Sequence, residues 1–107
     1  MKESLKKLAD IVAQANDLFY DRNKHVDTLM GIMDKTLRKQ GMNADAITID
    51  CITMDKKMVL VLHDSKPDTV DIALGDKAGV VHSSTEHALK DISINQIVDM
   101  MEVNFLA

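Results

Sequence analysis

From Leu5 the apolar side chains recur three and four residues apart through Leu8, Val12, Ala15 and Phe19, and after a polar interruption at Arg22 they resume at Val26, Leu29 and Met33. That spacing is one helical face in heptad register. A second row at Ile11, Leu18 and Ile32, with His25 in the same series, widens the stripe beyond what a helix with one packing partner needs. Ser4 is the candidate N-cap, Gly41 can end the segment in left-handed geometry, and Asp34 and Arg38 form a favourable pair four apart. A straight helix over residues 4–40 would run about 55 Å at roughly 1.5 Å per residue. A domain of this size is roughly 35 Å across. The stripe therefore predicts either a helical hairpin broken near residues 21–24, with Asn23 capping a second helix, or a long helix whose partner is another chain.

Beyond Asn43 the period changes. Ile47, Ile49 and Cys51 alternate with Thr48, Asp50 and Ile52, which reads as a half-buried strand. Asp55-Lys56-Lys57 is a connection of hairpin length, and its register is open because a two-residue and a three-residue loop expose opposite faces of the next strand. The unbroken run Met58-Val59-Leu60-Val61-Leu62 predicts a central strand covered on both faces. Residues 64–68, around Pro67, form the strongest turn. A third strand follows over Thr69–Leu74, and a turn at 76–79 leads to a short fourth at Val80–His82. Ser83 with Glu86, and Ser93 with Gln96, are capping-box spacings; the first predicts a short helical turn, the second a helix presenting Ile94, Ile97, Val98 and Met101. The fold class is α+β in a single domain over 1–107: a long N-terminal helix or helical hairpin (1–41), a three- to four-stranded antiparallel β-meander (44–83), and a C-terminal helical region (84–107) with its helix packed on the sheet.

Composition narrows the function classes. The 107 residues carry 13 Lys and Arg against 17 Asp and Glu, a net charge of -4. Residues 1–40 hold eight basic and six acidic groups, and residues 41–107 hold five and eleven, so the acidity lies in the second part. No diffuse positive field exists for phosphate backbones, and with only Phe19, Tyr20 and Phe105 as aromatics there is little on which a base could stack; nucleic acid is not an expected partner. No run approaches the roughly 20 apolar residues of a membrane span, and the first residues lack the apolar core of a secretory signal. The single thiol, Cys51, cannot close an internal disulfide. A cytoplasmic protein with no membrane association is expected.

Motifs with chemistry are sparse. His82 and His87 flank a Glu but lie five apart, where helical zinc signatures need four. His63 or Asp64 could add a third ligand only if the strand ends converged, and solvated loop histidines are the commoner case. Cys51 shares the face of Ile47 and Ile49, the place of a buried, inert thiol. The four glycines are scattered, so no phosphate-cradling loop is expected. No cofactor is implied, and the eight methionines serve first as core filler.

What exceeds the needs of an isolated domain is the wide stripe, so Leu5, Leu8, Ile11, Val12, Leu18, Phe19, Val26, Leu29 and Met33 are the candidate self-association residues. The expectation is a small non-catalytic protein-interaction module, homodimeric through its N-terminal helices, that binds or regulates another protein. The order helix, meander, helix, with small size and acidity, loosely resembles the dimeric chaperones of type III secretion. That resemblance rests on the order of elements alone, and the strands those chaperones carry after their second helix are missing here. The alternative is a small metal-dependent or small-molecule enzyme with its site at the strand ends or at a dimer seam, built from His63, Asp64, His82 and His87.

Overall fold

The spacing of Leu5, Leu8, Val12, Ala15 and Phe19 folds into helix α1, Glu3–Arg22, in the computed structural model, which describes residues 2–106. These five side chains are buried to 1% exposure or less. Lys2, not Ser4, precedes the first turn, and no side chain caps it. Asn23 ends this helix instead of opening a second one. Its backbone N–H reaches the Phe19 carbonyl at 2.9 Å, while its side-chain amide donates to that oxygen and to Glu102, each at 3.2 Å.

After Asn23 the chain departs from the expected helix or hairpin. Thr28–Met33 is strand β1, and only one further helical turn, α2 at Thr36–Lys39, follows before Gly41 turns the backbone at φ 89°. A six-residue apolar run fits either period, and here pairing decides it. Met30 lies opposite Ile49, Ile32 opposite Ile47, and Gly31 opposite Thr48. A Cβ on Gly31 would come within 2.9 Å of the Thr48 Oγ1, so this glycine, a poor residue for a helix, suits the close approach of the two strands.

Strands β2 (Ala44–Cys51), β3 (Lys57–His63), β4 (Thr69–Gly75) and β5 (Val81–Ala88) complete a five-stranded antiparallel meander in the order β1-β2-β3-β4-β5. The sheet is thus one or two strands larger than expected. β1 comes from the supposed helical region, and β5 runs on through the Ser83…Glu86 spacing, whose side chains hold no helical turn. The β2–β3 register settles the open hairpin: Ile49 faces Met58 and Ile47 faces Leu60, so Met58, Leu60 and Leu62 join the core. β3 is central as expected but covered on one face only, since Val59 and Val61 alternate with those residues and remain half-exposed.

The C-terminal helix α3, Ile94–Phe105, begins as its sequence predicts, with the Ser93 hydroxyl accepting the Gln96 N–H at 3.1 Å. It buries Ile97, Val98, Met101 and Phe105 and lies beside α1, where the rings of Phe19 and Phe105 meet edge to face with centroids 6.1 Å apart. Such a pair adds about 0.5–1.5 kcal/mol beyond its area burial. Both helices contribute to one core with Ile47, Ile49, Met58, Leu60 and Ile72 of the sheet. The double-width stripe of α1 has an intramolecular cause. The helix has two neighbours, the sheet beneath it and α3 at its side, and Ile11 and Leu18 pack as the flanks of that same core.

Candidate functional site

The face of the sheet turned away from α1 and α3 carries Leu29, Met33, Ala46, Thr48, Val59, Val61 and Ala73, placed there by the alternation of each strand and the cross-strand pairs Thr48↔Val59, Ala46↔Val61 and Val59↔Ala73. Helix α2 packs on β2 at one corner of this face, where Ala46 and Thr48 are buried. Between that corner and β3 lies a hollow of about 410 Å³ bordered by Met33, Leu37, Met42, Val59, Val61 and His63. Aliphatic and thioether groups make up most of its walls, with Thr48, Lys57 and His63 as the polar members, and Met42 is 45% exposed at the rim. Flexible methionines around an apolar floor can repack against more than one shape.

The hollow keeps its wall because α2 is tied down by charge. Arg38 forks onto Asp45, with Nε and Nη2 each 2.9 Å from a carboxylate oxygen, and onto Asp64, with Nη1 and Nη2 each at 2.8 Å. Lys2 adds a bond to Asp64 at 2.5 Å. The guanidinium, and Lys2 behind it, hold the Asp64 carboxyl well below the usual carboxylate range, and the two carboxylates in turn raise Arg38. The side chain of Asp45 is only 5% exposed, and Arg38 supplies the pairing that a buried carboxylate requires. Arg38, expected to pair with Asp34, thus makes a tertiary clamp. A partner seven residues on and one twenty-six residues on leave no periodic trace in the chain.

The sequence-derived candidates separate. Leu5, Leu8, Val12, Phe19 and Val26 are interior, Ile11 and Leu18 flank the core, and Leu29 and Met33 stand on β1. Seven of the nine candidates thus serve the core of the domain itself, and the stripe presents no continuous helical seam at the surface. His63 lies on the uncovered face, its Nε2 3.2 Å from Asp71, and Asp64 is held in the fork of Arg38. His87 lies on the opposite face at the end of β5, bonded to Thr85 at 2.8 Å and within 3.4 Å of the Gln96 amide, while His82 is exposed at the other end of that strand. Among the described residues no three His, Cys, Asp or Glu side chains gather as a metal site. Cys51 is fully buried on the core face.

Val59, Val61, Leu37 and Met42 were not singled out by the sequence. An unbroken apolar run such as 58–62 says that a strand is buried, but not which of its faces is left without a helix.

No family model matches this chain, and no curated protein or solved structure is significantly similar to it. The resemblance to type III secretion chaperones stays at the order of elements, and here all five strands precede the C-terminal helix. Among the described residues no helix is long and apolar enough to cross a membrane.

Proposed function

We propose that this chain is a small cytoplasmic, non-catalytic protein-interaction module whose recognition surface is the uncovered sheet face, and that it also self-associates. One observation carries this reading: the sheet face that neither α1 nor α3 covers holds an apolar hollow of about 410 Å³, walled by α2 and floored by Val59 and Val61. The chemistry that fits is an apolar side chain or two from an extended or helical segment of another protein, inserted between Met33 and Val61. A clamp of three charged residues that fixes α2 over the sheet is consistent with a preformed wall. The polar groups around the hollow, His63 in contact with Asp71 and Lys57 near Asp50, are part-exposed rim pairs, which supports a recognition surface over an acid–base constellation. Self-association has to use a surface other than the α1 stripe, because that stripe is interior.

Affinity capture from the native cells tests the recognition surface with three tagged chains: wild type, Val61→Lys, and Val103→Lys at a site 72% exposed on α3. The expected outcome is a protein captured equally by wild type and Val103→Lys and depleted about tenfold or more by Val61→Lys, the effect of removing a buried contact at an interface centre. Circular dichroism shows whether each variant is folded. Capture that Val61→Lys leaves unchanged would contradict the assignment.

A further inference from the structure

Sulfur is unevenly exposed on this fold. The single thiol, Cys51, is fully buried, and so are Met58 and Met101. Met30, Met54 and Met100 are half-buried and packed against the core, while Met33 is half-buried at the border of the hollow. Among the described residues Met42 is the one exposed sulfur-bearing side chain, at 45%. An oxidant arriving from solvent therefore meets this thioether first.

The position of Met42 is fixed by the end of α2. Gly41 turns the backbone at φ 89°, and the Met42 N–H then donates to the Leu37 carbonyl at 3.0 Å. α2 is in turn held by the fork of Arg38 onto Asp45 and Asp64. The thioether side chain thus belongs to the rim of the hollow, which it borders together with Leu37 and Val61. A methionine there does two things at once: it supplies polarisable apolar surface for a partner, and it carries the chain's most accessible site for oxygen transfer.

We propose that Met42 is an oxidation site and that its sulfoxide closes the hollow to an apolar segment of another protein. This rests on the reading of the hollow as a recognition surface. The oxidant is of the peroxide class. A sulfur lone pair attacks one oxygen of hydrogen peroxide, the S–O bond forms as the O–O bond breaks, and a proton shift releases the other oxygen as water. The thioether loses two electrons and the peroxide gains them, so no further reactant is needed. The product replaces an apolar sulfur by a strongly polar S=O group that accepts hydrogen bonds. In the free chain water satisfies that oxygen at the exposed rim. An apolar side chain seated in the hollow displaces the water without replacing its hydrogen bonds, so the cost falls on the bound state alone.

The test treats the intact, folded chain with hydrogen peroxide and follows each methionine by peptide-mapped mass spectrometry. Met42 should convert about fivefold or more faster than the half-buried methionines, and faster still than Met58 and Met101. The reaction is stopped once Met42 is converted, the peroxide is removed, and affinity capture from the native cells is run with tagged wild type, Val61→Lys and Met42→Leu. Oxidised wild type should capture about tenfold less of the protein whose capture depends on Val61. Met42→Leu, treated identically and compared with its own untreated sample, should lose nothing to peroxide, and circular dichroism of the oxidised wild type should be unchanged. Conversion of Met42 no faster than that of the buried methionines would overturn the oxidation site and leave the recognition surface untouched. Selective conversion with capture unaltered, an equal loss in Met42→Leu, or a loss accompanied by unfolding would overturn the closing of the hollow. Capture that does not depend on Val61 would overturn the recognition surface and this inference with it.

Discussion

Arg38 is the residue that ties α2 to the corner of the uncovered sheet face, and its partners make the clamp sensitive to acid. The Asp64 carboxyl titrates below its ordinary value of 3.8 in the folded chain, because Arg38 and then Lys2 favour its charged form. A carboxyl shifted downward stabilises the fold above its unfolded pKa, and that contribution is lost as pH falls toward the folded value. Asp64 and Lys2 are well exposed, so solvent screening keeps the effect small. From about pH 4 downward the wild type should therefore lose stability more steeply than Asp64→Asn, whose side chain does not titrate in this range. Urea midpoints measured from pH 6 to pH 2 check this, and parallel curves for the two chains would refute it. None of this was visible in the chain. Asp34, four residues before Arg38, is the partner that helical spacing offers, but a single helical turn that packs on a sheet end meets Asp45 and Asp64 instead.

At the scale of elements, local signals held where one face is buried and the other wet. Ser93 is the case with an energetic consequence: its hydroxyl caps α3, whereas Ser83 sits in β5 and Ser4 lies within the first turn of α1. Ser93→Ala should cost about 0.5–2 kcal/mol, and Ser83→Ala and Ser4→Ala no more than about 0.5 kcal/mol. Equal losses for the three in denaturant unfolding would contradict this division. The strands β2 and β4 were legible from their alternation, as were the start of α3 and the turn around Pro67. Residues 28–33 were not, because Val26, Leu29 and Met33 continue the heptad spacing of α1 and only pairing with Ile47 and Ile49 distinguishes strand from helix. The full length of β5 was hidden for a different reason. Its side chains are polar on both faces, so no period marks it, and the ladder to β4 alone defines it.

The whole molecule measures 37 × 28 × 21 Å with a radius of gyration of 13.1 Å, close to the roughly 13 Å expected for a single domain of this length. A straight helix over residues 4–40 could not fit within it, and the conflict is resolved by turning the second half of the helical pattern into an edge strand. The apolar stripe of α1 lies in a two-layer core shared with α3 and one sheet face, and the other face is left without a long helix over it. Which face stays bare depends on where both helices pack, a property of the assembled domain that no segment carries by itself.

The central claim, that the uncovered sheet face recognises another protein, is tested most directly by a photo-crosslinking amino acid placed in the intact chain in its own cells, at Val61 in one strain and at Val103 in another. A discrete adduct with a second protein is expected from Val61 and none from Val103. Adducts from Val103 with none from Val61, or no adduct from either in cells that contain the folded chain, would contradict it.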